Sequence, residues 1–217
     1  MGRVLDKLKS TGLDKNTIVI FTSDHGYHLG EHGHWQKQTL FDNATSIPLL
    51  VAGPGVNKNE KIMDAPVELV DLYPTLMEVL GMEVPEFVSG KSFAPMLSDS
   101  SIRIRSSALT QLGVSNGSET KTQGYSIKTD RYRLTQWGEK GILGYELYDH
   151  KYDKKELHNL SSTEEYKKIK DSLILVIDKR IVEARKKPKG LLLQYANTKE
   201  WNEPKTIDSR PKYRTQD

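Results

Sequence analysis

The sequence predicts an α/β chain: helices flanking a mostly parallel sheet, then a small antiparallel sheet packed by one long helix. Three observations carry this. Two short apolar runs, Ile18-Val19-Ile20-Phe21 and Leu49-Leu50-Val51-Ala52, lack the polar alternation of a half-exposed strand, as strands covered on both faces do. From about Ser100 the pattern changes to short runs separated by turn residues. A long stretch then carries Leu173, Val176, Ile177 and Ile181 at helical spacing.

Taken in order, residues 2–11 predict a helix, with Val4, Leu5 and Leu8 on one face and Gly12 as its C-terminal cap. Residues 17–22 predict a strand rich in β-branched side chains. A second buried strand is expected over 47–52, with Pro48 near its start, where a missing N–H is tolerated. Residues 56–62 read as a polar surface turn. Asp71 is placed to cap a helix over 72–80, whose apolar face is Leu72, Leu76, Val79 and Leu80 and whose stop is Gly81. Residues 90–97 read as a docking loop or short helix. Strands are expected over 107–112, 125–129, 132–137 and 146–148, with a tight hairpin at Thr129-Asp130. A helix over 163–187 follows, with Glu164 and Glu165 in its first turn and Lys186, Lys187 and Lys189 suiting its C-terminal dipole. Three segments result: 1–100 as the larger α/β part, 101–187 as a small antiparallel-sheet subdomain, and 188–217 as a surface tail rich in proline and charge.

Composition excludes several classes. The 217 residues carry a net charge of +3, with 36% hydrophobic and 28% charged residues, which suits a globular chain. That charge is too small, and too scattered, to indicate nucleic acid as a partner. No apolar run approaches the roughly 20 residues of a membrane span, and residues 1–10 do not resemble a signal peptide. The chain has no cysteine, so it has no disulfides.

Chemistry concentrates in residues 17–41, TIVIFTSDHGYHLGEHGHWQKQTLF. This stretch holds four of the six histidines, at 25, 28, 32 and 34, together with Asp24, Glu31 and Lys37. An apolar strand here runs straight into Asp24-His25-Gly26, and ligands of open α/β sheets sit just past the carboxyl ends of strands. A carboxylate beside an imidazole could share one divalent cation; an ordinary turn would also accommodate the tripeptide. Glycines 26, 30 and 33 allow close backbone approach or positive φ. Lys37 offers a compact ammonium for an anionic oxygen. Glu31 could orient a histidine or a backbone N–H, and Trp35 is better suited to packing than to a substrate platform. His150 and His158 receive no role.

The run SDHGYHLGEHG, followed by Trp35, Lys37, Leu40 and Phe41, resembles the sulfatase family of the alkaline phosphatase superfamily, and most closely its iduronate-2-sulfatase branch. The resemblance continues more weakly through IPLLVAGPGV, DAPVELVDLYPTLMEVLGMEVP, GKSFAPML and YELYDHKYDKKELHNL, over roughly residues 1–187. It implies hydrolysis of a sulfate ester on a carbohydrate, with Asp24 and His25 as ligands of a Ca²⁺ ion. Ligand chemistry alone would favour zinc or manganese for a histidine nitrogen. It further implies that Lys37 contacts the sulfate, and that His28 and His32 shape the substrate pocket; His34 falls where the family pattern varies and is placed to touch substrate. The nucleophile of the family is a formylglycine made from cysteine or serine in a Cys/Ser-x-Pro-x-Arg motif. No such motif occurs here, so the chain is expected to be the C-terminal portion of such an enzyme, from a truncated gene, a split gene or a larger chain, and to be inactive alone. The alternatives are an inactive orphan fragment or a subunit needing an N-terminal sulfatase chain, and a metal-dependent phosphoesterase of the same superfamily. The full-length family implies a periplasmic or secreted location.

Overall fold

The structure, a computed structural model, describes residues 1–56, 62–114 and 122–186. The expected tail over 188–217, most of the turn over 56–62 and the turn at 115–117 lie outside these residues. Helix α1 (Gly2–Ser10) ends where the Thr11 N–H bonds Lys7 O, and Gly12 follows at φ 72°. Its apolar face is uncovered: Val4 and Leu5 are exposed, and no residue of the helix is buried.

Strands β1 (Val19–Thr22) and β2 (Leu49–Ala52) form a two-stranded sheet. They pair antiparallel, Val19 opposite Ala52 and Thr22 opposite Leu49, which corrects the expected parallel arrangement for these strands. A parallel pair needs a crossover, usually a helix, between its strands. The connection here, residues 23–48, contains only a 3₁₀ turn over Glu31–Gly33 and the four-residue helix α2 (Asp42–Thr45), and returns as the site loop. Burial on both faces is not found either. Leu49 and Val51 pack toward Phe93, Met96 and Leu97, whereas Phe21 and Leu50, opposite each other, are exposed.

Helices α3 (Leu72–Val79) and α4 (Ala94–Ser98) cover the packed face of β2. Asp71 does not cap α3 with its side chain as expected. Its carboxylate is fully buried and takes the N–H groups of Glu68 and Lys91 and the guanidinium of Arg105. The guanidinium and these two backbone N–H groups engage both carboxylate oxygens, so the side chain does not turn to an N–H of α3.

The second sheet runs β3 (Ala108–Val114), β4 (Thr122–Lys128), β5 (Tyr132–Trp137) and β6 (Gly144–Asp149), antiparallel throughout and in chain order. The hairpin at Thr129-Asp130 closes through the Thr129 N–H to Tyr132 O. Helix α5 (Lys167–Ala184), preceded by a 3₁₀ turn over Glu164–Tyr166, lays Leu173, Ile177 and Ile181 on Tyr125, Ile127, Leu134 and Leu147. Ile127, Leu134, Leu147 and Ile177 are fully buried, so this apolar interface is the main source of cohesion here.

Two polar joints tie this sheet to the rest. At one, Glu68 accepts from Arg105, from Arg180 of α5 and from the Leu109 N–H of β3. At the other, Arg133 of β5 spans Asp42 of α2 and Glu156, at 2.6 and 2.5 Å.

Candidate functional site

The chain leaves β1 at Thr22 and turns sharply at Ser23, whose hydroxyl donates to His25 O. Asp24 follows with an exposed carboxylate that accepts the His25 N–H at 3.0 Å. Burial tends to raise its pKa, but that is outweighed by backbone N–H groups and by the nearby His25 and Lys37, so the carboxyl titrates below its usual range. The His25 ring donates from Nδ1 to Gly26 O at 2.7 Å, which leaves the lone pair on Nε2. Lys37 Nζ lies 3.0 Å from that Nε2, and Asp24 Oδ2 lies 3.5 Å from it. An oxygen and a nitrogen donor thus converge, with the tautomer already fixed, and the pair fits one side of a divalent-cation shell. Lys37 supplies an exposed ammonium at the same point.

Gly26 is where this backbone is locked. Its N–H bonds Ala44 O of α2 at 2.8 Å, and a Cβ there would lie 1.9 Å from Asn43 O. Only glycine fits between the site loop and α2.

The rest of the loop doubles back, His28 N–H to Gln36 O and Gly30 N–H to His34 O. His28 sits inside it, fully buried, with Nε2 2.6 Å from Thr39 Oγ1. Burial pushes its pKa down. His32 takes φ 54° and stacks on Phe41, the ring centroids 3.8 Å apart. His34 lies edge-on to His28 at 5.7 Å. Glu31 accepts the Leu29 N–H at 2.7 Å, which holds its carboxyl below the usual range. Trp35 is exposed, with its ring against Gly30. The structure therefore gathers Asp24, His25 and Lys37 at one point and the loop's other three histidines in a separate cluster, His28 and His32 against Phe41 and His34 against His28. Asp24, His25 and Lys37 open on a cleft of about 630 Å³ whose far wall is β3 and α5, with Lys91 and Gln111 also on its surface.

Sequence reasoning missed the joint at α2. Glu156, Asp42 and His150 bring ligand-type atoms within 4.8 Å of one another, a spacing a metal ion could use. Two fixed cations already serve them, however. Arg133 bonds Asp42 and Glu156, while Lys128 bonds Asp42 at 3.2 Å and His150. A divalent ion would have to displace both, so the cluster is better described as a partly buried ion network. No local pattern could have found it, since the Asp42 N–H and its acceptor Glu156 are 114 residues apart.

Comparison with known proteins bears on what this loop is. Residues 30–187 match the family described as N-sulphoglucosamine sulphohydrolase, C-terminal. The chain belongs to the sulfatase family. It is similar to a sulfatase of Formosa agariphila, 37% identical over 179 residues, covering 82% of this chain and 33% of that protein. Among solved structures it resembles a protein bound to its substrate D-glucosamine-2-N,6-O-disulfate, with TM-score 0.75 and 28% identity over 84% of this chain and 37% of the other. It also resembles a 2-O glycosaminoglycan sulfatase, with TM-score 0.73 and 31% identity over 83% and 39%. This sulfatase chain spans about a third of the length of the curated relatives it matches.

Proposed function

We propose that this chain carries one side of the metal site and the sulfate-contacting lysine of a sulfuric ester hydrolase that acts on a sulfated carbohydrate. The observation that supports the reading is the meeting of Asp24, the His25 Nε2 lone pair and Lys37 Nζ at the mouth of one cleft. Asp24 and His25 would hold the cation, taken as Ca²⁺ in keeping with the family, in an iduronate-2-sulfatase-like arrangement. Bound there, a divalent cation supplies positive charge against sulfate oxygens. The Gly26 carbonyl keeps the proton on His25 Nδ1 and so keeps Nε2 free to ligate. Lys37 meets a sulfate oxygen with a compact charge. His28, His32 and His34 set the shape of the loop beside the sugar, with Glu31 holding the Leu29 N–H and Trp35 packing over Gly30. The nucleophile comes from outside this chain, which has no cysteine and no Cys/Ser-x-Pro-x-Arg sequence. The division near Ser100 into an α/β part and an antiparallel-sheet subdomain is part of the same proposal.

The test is a titration of the chain with glucosamine 6-sulfate, followed by amide chemical shifts. Gly26 and Lys37 should move together, and Lys37→Ala should abolish the effect. Shifts confined to residues away from the loop would refute the reading. The chain alone should not turn over nitrophenyl sulfate.

A further inference from the structure

We infer that Glu156 is a positioning residue for the Asp24–His25–Lys37 site, acting on it through α2. Its Oε2 accepts the Asp42 N–H at the start of α2, at 2.7 Å. Its Oε1 is held by Arg133 Nε at 2.5 Å and His150 Nε2 at 2.6 Å. At the other end of α2, Ala44 O accepts the Gly26 N–H at 2.8 Å. The Gly26 carbonyl in turn accepts His25 Nδ1 at 2.7 Å. A series of three hydrogen bonds, joined by the backbone of residues 42–44 and of Gly26, therefore runs from a side chain of the β6–α5 connection to the imidazole that would ligate the metal.

Three features make this series stiff. Glu156 is 2% exposed, so water cannot replace its partners. Its backbone sits at φ 56°, a conformation a non-glycine residue keeps only when its surroundings hold it there. Gly26 has no spare room against α2, because even a methyl group would collide with Asn43 O. Any shift of α2 must move Gly26, and with it the His25 ring. Arg133 also reaches Asp42 Oδ1, which ties the same helix to β5 a second time.

That the series serves sulfate binding rests on the proposed function. The series itself does not, so it can be tested without sulfate or metal. The experiment is amide hydrogen exchange and the His25 Cε1–H NMR signal on the full 217-residue chain, comparing wild type, Glu156→Gln, Glu156→Asp and Ile177→Val. Glu156→Gln removes the charge that Arg133 and the Asp42 N–H share. It should speed Gly26 exchange about tenfold or more, beyond what its global stability change accounts for, and shift the His25 signal. Glu156→Asp keeps the charge on a shorter arm and should fall between. Ile177→Val loosens the same subdomain from its apolar core and should alter Gly26 exchange only as far as global stability dictates. An unchanged Gly26 rate and His25 signal in Glu156→Gln would overturn the inference, as would an equal response in Ile177→Val. Should Glu156→Gln fail to fold, Glu156→Asp against Ile177→Val decides in the same way.

Discussion

Replacing Arg133 by methionine is the sharpest probe of how the two halves are joined. The guanidinium is 2% exposed in its side chain and makes three contacts: Glu156 Oε1 at 2.5 Å, Asp42 Oδ1 at 2.6 Å and Ser126 Oγ at 3.2 Å. Methionine fills much of the same volume, so the cost is mainly electrostatic. Glu156, equally buried, would lose its closest cation and be left with His150 and the Asp42 N–H. Breaking a buried pair by removing one partner costs about 3–5 kcal/mol, because a charge is left uncompensated. The double change Arg133→Met with Glu156→Gln removes that stranded charge. It should therefore cost clearly less than the sum of the two single changes, with a coupling of about 1–3 kcal/mol. Urea unfolding followed by circular dichroism, with the slope checked for constancy, measures all four corners of the cycle. Additivity within about 0.5 kcal/mol would show that Arg133 and Glu156 do not depend on each other and would refute the reasoning.

Two further outcomes follow from the same contacts. Acid should weaken the fold. Burial tends to raise the pKa of Glu156 and Asp42, but the His150 hydrogen bond and the Arg133 charge at Glu156, and Arg133 with Lys128 at Asp42, hold both carboxyls below their ordinary values. A depressed folded-state pKa gives stability that is present above the unfolded value, near 4, and is lost as pH falls through the folded value. Urea midpoints should thus decline from about pH 4.5 downward, and Glu156→Gln should flatten that decline; a midpoint rising toward pH 3 would contradict it. Gly26→Ala should be far more damaging than an ordinary loop substitution, because its Cβ would lie 1.9 Å from Asn43 O. The expected signs are loss of the Ala44–Gly26 hydrogen bond and displacement of the His25 NMR signal; an unaltered spectrum would disprove the tight contact.

How far the sequence could be read depends on the distance between partners. The loop around Asp24 and His25 was legible because its chemistry is contiguous, and the expected strand over 132–137 coincides with β5 (Tyr132–Trp137). The stripe of Leu173, Ile177 and Ile181 was visible for the same reason: helical periodicity is local, and all three face the sheet. The direction of β2 was not legible. An apolar run such as LLVA has the same composition in a parallel or an antiparallel pair, and only the path of residues 23–48 decides between them. Asp71 looked like a cap because the rule for caps is local, whereas its guanidinium partner lies 34 residues on. Glu156 and His150 fall in the stretch YELYDHKYDKKELHNL, but nothing local told of their joint role, since their partners come from β4, β5 and α2.

The position of Lys37 leads to a last expectation about order of binding. Its ammonium now donates to His25 Nε2, the same lone pair that a cation would need. The two positive groups cannot share that atom, so a cation bound by Asp24 and His25 must release Lys37 toward the cleft. On the proposed function, metal and lysine would therefore compete in the chain without substrate, and the released ammonium would be the one to meet a sulfate oxygen. Lys37→Ala should strengthen binding of Ca²⁺ or Mn²⁺ to this chain, because a competing donor and a repelling charge are both removed. Asp24→Ala should weaken it, because one of two donors is lost. Lys37→Arg should not restore wild-type behaviour, since a planar fork does not place one compact charge at Nε2. Calorimetry with each metal, with broadening of the His25 signal by Mn²⁺ as a second readout, measures these effects independently of turnover. If Lys37→Ala bound metal more weakly than wild type, the lysine would have to assist the cation, and the competition drawn from its contact with Nε2 would be wrong.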